Sequence, residues 1–319
     1  MPAQSPDAGE EIVEGFLRDE PREMPVGAGA GMGFAAVEAG VTPGRRRGKG
    51  LGLGAWLAML WLGMLFASAI LAPILPIDAA TTADPSLSRQ GPSLSHPFGI
   101  DTLGHDMVSQ VIWGARNSLF IAIIAVFLGF MVGGVLGVVA GYFKGKIGGV
   151  LGSITDIFLA FPQLVLALSI VTFLGRTVFN VTLALAIVST PVLARIARAS
   201  TLTWSEREFV LAARAQGAEH GRVMLREVLP NIIPAMLSIA LLGVAVVIVA
   251  EAGLAVIGAG VNPNVVTWGN IIVKGSASEL RDAPHIALTV SLVIFLTVLS
   301  LNYLGDVIRA RFDVRESAL

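Results

Sequence analysis

Two carboxylates stand inside long apolar runs: Asp156 in GSITDIFLAFP and Glu251 in VIVAEAGLAV. An ionisable group in such a run is costly to hold there, so it marks a partner, a water path or a function. Few other residues have chemical reach. The chain has no cysteine, which excludes disulfides, thiolate metal sites and thiol nucleophiles. His96, His105, His220 and His285 are scattered, with no i, i+4 pair, and a metal site is not expected. Asp101 and Asp106 lie close together, but two carboxylates without further oxygen ligands make a poor calcium site. Helix caps and loop hydrogen bonds are the favoured reading for both. A phosphate-binding loop needs G-x-x-x-x-G-K-[ST]. Gly141–Lys146 and Gly44–Lys49 are each one residue short and lack the Ser/Thr. No H-E-x-x-H or G-x-S-x-G occurs either. The chain alone is not expected to be an enzyme.

The elements that must position these groups are membrane spans. The 319 residues are 54% hydrophobic and 14% charged, with a mean hydropathy of +0.76; soluble domains carry about 25% charged residues. A helix needs about 20 apolar residues to cross roughly 30 Å of hydrocarbon. Six stretches qualify: about Leu53–Ile77, Ser118–Gly141, Val150–Leu174, Val178–Ala199, Ile232–Gly258 and Ile286–Ile308. The expected fold is an all-α polytopic membrane protein with six transmembrane helices. Residues 1–50 are acidic, then Gly/Ala-rich, and read as a flexible tail. They are not a signal peptide, because the first apolar run begins near Leu51, directly after Arg45, Arg46, Arg47 and Lys49. The Gly27–Gly33 glycines fit no dinucleotide fingerprint. A net charge of −1 gives no electrostatic case for nucleic acid.

Basic residues set the orientation. With the tail inside, 17 Lys and Arg fall on the cytoplasmic side. Five fall outside: Arg89, Arg116, Arg176, Lys274 and Arg281. Both termini and the charged segment SEREFVLAARAQGAEHGRVMLREVLPNIIP, Ser205–Pro234, are then cytoplasmic. That segment reads as helix, glycine, helix, proline. Ser205 and Glu208 stand in capping-box order. Gly217 suits a left-handed helix end, and Pro230 and Pro234 set the entry to the next span.

Local features suggest further roles. Gly129, Gly133, Gly137 and Gly141 recur every four residues and form a slowly winding groove for close helix packing, which is compatible with a sliding, two-state surface. Pro162 removes a backbone hydrogen bond and is expected to kink the third span, and Pro191 to bend the fourth in the same way. Asp156 reads as an interhelical bond or ion pair, or as part of a translocation path. Arg195 and Arg198 read as anchors that snorkel to the interface. Glu251 falls near the outer end of the fifth span. The following GLAVIGAGVNPNVVTWGN reads as a re-entrant external turn or as an outer gate, with Trp268 at headgroup level. Val108–Trp113 has helical apolar spacing and suits a short helix lying on the membrane.

Four motifs resemble one family. Ala212-Ala213, three residues, Gly217, then Leu229-Pro230 is similar to the "EAA" loop of ABC-importer permease subunits, with Leu211 where that motif has Glu. HPFGIDTLGHDMVSQVIWGARNSL resembles the outer segment of the C-type subunits of dipeptide and oligopeptide importers. His96, Pro97, Gly99, Asp101, Leu103, Gly104, Asp106, Ser109, Ile112, Gly114, Ala115, Arg116 and Ser118 carry the likeness, while His105 and Gln110 depart. Glu251, Leu254, Gly258, Gly260, Pro263, Trp268 and Gly269 match a further peptide-permease pattern. The ending LNYLGDVIRARFDVRES resembles the family's through Asn302, Leu304, Gly305, Asp306, Arg309 and Asp313.

The resemblance, over roughly residues 50–316, implies a permease subunit of a binding-protein-dependent ABC importer of the dipeptide/oligopeptide/nickel group. It implies a type I (MetI-like) permease fold. The implied layout is a cytoplasmic tail (1–50), a first span with a long external loop (51–115), a permease core (116–309) holding the coupling loop 205–230, and a cytoplasmic C-terminus (310–319). The implied partners are a homologous second permease, two ATPase subunits, an external solute-binding protein, a small peptide substrate and the lipid bilayer of a bacterial inner membrane. ATP and Mg belong to the partner subunits, and this chain binds no cofactor. Glu208, Ala212, Ala213, Gly217, Ala218, Leu229 and Pro230 would couple to the ATPase. Asp156, Pro162, Glu251, Gly258 and Gly260 would line the path or gate. Two alternatives remain: a nickel or other small-solute ABC permease, and an ion-coupled secondary transporter, which would want mid-membrane acids and internal repeats.

Overall fold

A computed structural model describes residues 52–75, 77, 81–275 and 279–316. The expected tail over residues 1–50 lies outside the described residues, as do residues 317–319. Among the described residues the chain is helical, apart from one isolated bridge between Ile100 and Asp106. Among the described residues five helices are long and apolar enough to cross a bilayer, and a sixth candidate is a pair of shorter helices that passes the same test only when the two are taken together.

The first helix, α1 (Leu53–Leu71), buries Ala55, Ala58, Leu62, Leu65 and Ala69, a stripe at alternating spacings of three and four. This stripe lies mainly against the last long helix, α11 (Pro284–Glu316), where Trp61 Nε1 donates to Thr297 Oγ1 at 3.2 Å. The second helix, α2, runs from Met107 to Tyr142. Its 36 residues span about 54 Å at 1.5 Å each, well beyond the hydrocarbon thickness. The stretch Val108–Trp113, expected as a separate surface helix, is instead the first turns of α2. Asp106 causes the early start: its Oδ1 accepts from Val108 N at 2.8 Å and Ser109 N at 3.2 Å, a side-chain N-cap worth about 1 kcal/mol.

Helices α3 (Gly145–Ala160) and α4 (Gln163–Leu174) meet at 86°, with Phe161 and Pro162 between them. At Pro162 the helix is therefore interrupted rather than kinked, and Pro162 serves as the N-cap position of α4. Pro191 acts differently. It sits inside α5 (Val178–Ser205), which continues through it as one helix. The hydroxyls of Ser189 and Thr190 there bond to the carbonyls of Leu185 and Ala186.

Helices α2 and α5 form the most extensive pairing in the fold. A Cβ at Gly133 would meet Thr190 O at 2.5 Å, and one at Gly141 would meet Arg198 O at 2.7 Å. Gly137 lies equally close to Ala194 O, and Gly129 faces Ser189 and Leu193. Backbone thus meets backbone along four turns, an approach that only glycine allows.

After α5 come α6 (Glu208–Ala215), α7 (His220–Val223), a π-helical turn (Met224–Val228) and α8 (Leu229–Val256). Proline explains the π turn. Pro230 and Pro234 lack N–H groups, so the register shifts, and Leu229 N bonds Met224 O five residues back. The short α9 (Trp268–Lys274) and α10 (Glu279–Asp282) lead into α11.

Candidate functional site

Two structured regions lie at opposite ends of the bundle. The first is the elbow between α5 and α8. The expected capping box does not form: α5 runs on to Ser205, whose Oγ donates to Leu202 O at 3.0 Å. Arg207 takes the N-cap position of α6 without a side-chain bond, and Glu208 is the first helical residue. The end of α6 is well defined. Gly217 has φ +84°, its N–H bonds Arg214 O at 3.0 Å, and Ala218 N bonds Ala213 O at 3.1 Å. These paired bonds form a Schellman stop, which needs a left-handed residue at the glycine position. The spacing of Ala213, Gly217 and Ala218 is the spacing of that motif. Ala212 O accepts from Gln216 N one turn on.

Beneath the elbow lies a small core of Val138, Ala197, Val210, Val223, Val228 and Ile232, separate from the main one. Val210 is the buried residue of α6, whereas its neighbours Phe209 and Leu211 are 42% and 50% exposed. Leu229 is partly buried on this core and Pro230 is exposed. Tyr142 Oη lies 3.0 Å from His220 Nδ1, so the end of α2 braces α7. Lys144 pairs with Glu206 across the exposed edge and holds the Glu206 carboxyl below its ordinary pKa.

Asp156 meets Arg195 at 2.6 Å, an ion pair from α3 to α5 in which both side chains are mostly exposed. Arg195 is thus a partner rather than a lone anchor. The Arg198 guanidinium lies against Gly152, where a Cβ would collide with it.

The second region is at the far end of α8. Glu251 is 1% exposed. Its Oε2 accepts from Ser118 Oγ at 3.4 Å, and that same oxygen of Ser118 accepts from Trp268 N at 3.0 Å. Glu251 Oε1 faces Gly269 and has no hydrogen-bond partner of ordinary geometry among the described residues. Trp268 does not face out of the bundle toward lipid: it is fully buried, and its Nε1 donates to Val111 O at 3.1 Å. An indole with its one donor satisfied is a core residue. Gly260 and Gly269 pack on Ala255, so close that a Cβ at either would overlap it. Gly258 turns the chain at φ +88° with open space beside it.

The loop between α1 and α2 packs over this region. Asp101 Oδ1 accepts from Leu103 N and His105 N, both at 2.8 Å, and its Oδ2 lies 2.8 Å from His105 Nδ1. His96 Nδ1 lies 2.6 Å from Asp106 Oδ2, and His285 Nε2 lies 3.0 Å from Ile100 O. Among the described residues, no three His, Cys, Asp or Glu cluster as metal ligands would.

Sequence reasoning passed over Asn270 and Ser118 as site residues. The Asn270 amide donates to Val261 O, Asn262 O and Val265 O and so ties the whole turn together. Its signal was legible: a Thr three residues before an Asn, at the start of a short helix.

The family model for the inner membrane component of binding-protein-dependent transport systems matches residues 133–317, a span that takes in α5, the elbow and α8. The chain belongs to that family. It is the permease of an ABC-type importer, and it shares the family's all-helical membrane architecture. The glutathione transport system permease protein GsiD of Pectobacterium atrosepticum is 35% identical over 257 residues, 80% of this chain and 85% of that protein. GsiD of Escherichia coli O157:H7 is 37% identical over 260 residues, 81% and 86% of the two chains. Among solved structures, the MetNI methionine ABC transporter in inward-facing conformations aligns with a TM-score of 0.54 at 20% identity, covering 64% of this chain and 97% of that one. That likeness speaks to the fold alone.

Proposed function

We propose that this permease carries short peptides, glutathione-like solutes included, inward across a bacterial inner membrane as half of a translocation pathway. The relatives named as glutathione permeases and the peptide-importer motifs of the external loop support the substrate class. The observation that carries the mechanism is the elbow: a glycine-stopped helix with exposed Phe209 and Leu211, presented beyond the ends of two long spans. The excess of basic residues on that side supports a cytoplasmic elbow and cytoplasmic termini.

In this reading one of the two ATPase subunits grips α6 and α7, and Glu208, Ala212, Ala213, Gly217, Ala218, Leu229 and Pro230 shape the contact. Closure of the ATPases on ATP tilts the elbow and with it α5 and α8. The pathway formed with a second permease opens outward and receives solute from an external binding protein, and hydrolysis resets it. ATP must interact differently with the two states for the shift to occur. Asp156 and the break at Pro162 let α3 and α4 move as separate arms. Glu251, Gly258 and Gly260 hold the outer closure. ATP and Mg reside in the ATPase subunits.

Reconstitution of the whole importer in liposomes tests the reading. Uptake of labelled glutathione or dipeptide should require ATP inside the cytoplasmic compartment and survive a protonophore. Uptake that tracks an ion gradient instead would favour a secondary transporter, and uptake of nickel but no peptide would move the substrate to the metal branch.

A further inference from the structure

A cavity of about 430 Å³ lies at the outer end of the bundle, between the last turn of α4 and the end of α8. Ligand pockets for small molecules begin near this size, roughly 300 Å³. Leu168, Val171 and Ile257 give it apolar walls, and Arg176 stands in the lining. Gly175 and Gly258, both at positive φ, turn the chain away on either side and leave the mouth clear.

Arg176 is held at both ends. Its Nε donates to Gly260 O at 3.0 Å, and its own carbonyl accepts from Asn262 N at 2.8 Å. Its two Nη groups have no hydrogen-bond or ion-pair partner among the described residues. Three other cations at this end are engaged: Arg89 pairs with Glu279, Lys274 reaches Asp101 at 4.0 Å, and Arg116 lies over the Trp113 ring. A guanidinium whose Nε is fixed still offers a flat pair of Nη donors, the geometry that takes a carboxylate in two parallel bonds. Because Arg176 is already tethered, little side-chain freedom is lost when an anion arrives.

We propose that Arg176 and this cavity form an outer entry subsite that takes the free carboxylate of a short peptide, with an apolar side chain against Leu168, Val171 and Ile257. The proposal rests on the peptide reading above. It adds a recognition step made by the permease itself, at the mouth of the pathway.

The test uses the complete importer in liposomes and two labelled probes: a dipeptide with a free C-terminal carboxylate and the same dipeptide amidated. Arg176→Gln keeps the length but removes the charge. It should lower uptake of the free-carboxylate probe about ten-fold, through a higher apparent KM, and narrow the preference over the amide. Arg176→Lys keeps the charge but loses the planar tether, and it should recover most of the uptake. Thr172→Trp, at an exposed position of the lining, should block the cavity and lower uptake with the charge intact. The contribution of the binding protein is common to wild type and variant and cancels in the ratio of the two probes. The proposal is overturned if Arg176→Gln transports like wild type. It is equally overturned if Gln and Lys variants fall together, or if both probes fall equally, as a structural or lipid-binding role would give. A wild-type importer that takes up neither probe defeats the peptide reading itself, a result distinct from all of these.

Discussion

The two ends of this bundle are built on opposite principles. At the end of α8, Trp268, Glu251, Ser118 and Asn270 are buried, and most of their polar atoms are bonded to one another or to the backbone of α2 and the 258–267 turn. At the elbow, the polar groups are largely exposed and the shape is set by a backbone motif around Gly217, over a core of a few valines and an isoleucine. Buried polar networks fix a single arrangement, because each broken bond strands a desolvated group. A surface elbow with exposed Phe209 and Leu211 stays available to a partner in water. In the proposed mechanism one end is the closure and the other the handle.

Truncating the buried indole should break this comparison most severely. Trp268→Ala removes the largest fully buried side chain among the described residues and its bond to Val111 O. A stability loss of about 3–5 kcal/mol is expected, read as a large fall in the thermal unfolding midpoint of the detergent-solubilised importer. A fall no larger than that of an elbow substitution would erase the distinction between the two ends.

Gly217→Trp sharpens the comparison from the other side. No atom lies within 4 Å of its Cβ position, so the cost is backbone strain at φ +84°, about 1–2 kcal/mol. The importer should still assemble and hydrolyse ATP, but transport per ATP should collapse. Normal transport in an assembled Gly217→Trp importer would contradict the handle.

The smallest effect is expected at the rim of the buried end, in the loop before α2 and in α10. Arg89 holds the Glu279 carboxyl below its ordinary pKa, through a hydrogen bond and the opposite charge. A carboxyl lowered on folding stabilises above its unfolded pKa, and that gain is lost as pH falls through the folded value. Wild type and Glu279→Gln should differ slightly at neutral pH and converge on acidification, in unfolding midpoints measured at both. Divergence on acidification would reverse the assigned sign.

Much of this fold was legible because hydropathy over about 20 residues reports a span without knowledge of its neighbours. The glycine stripe at 129–141 and the stop at Gly217 were equally readable, since each follows from backbone geometry local to one helix. What was not legible depended on tertiary partners. The start of α2 at Met107 was hidden because Ser109, Arg116 and Asn117 read as polar, yet Ser109 is buried and the Asn117 amide is bonded to Val266 O. Trp268 read as a headgroup residue because nothing local announces that its N–H reaches Val111 O, 157 residues earlier. The Ser205–Glu208 signal was overridden because α5 kept its register for one more turn and drew Ser205 into its last carbonyls. Arg176 stood out in the sequence only as one of five basic residues on the side opposite the tail, and its cavity needed two distant segments to be brought together.

The orientation of the elbow can be measured directly, because the chain has no cysteine of its own. A single Leu211→Cys substitution places a thiol on the exposed face of α6. A membrane-impermeant maleimide should label it in inside-out vesicles and not in intact cells, and assembly with the ATPase subunits should protect it. Labelling from outside in intact cells, or no protection by any nucleotide-hydrolysing partner, would contradict the elbow's role as the handle of the importer.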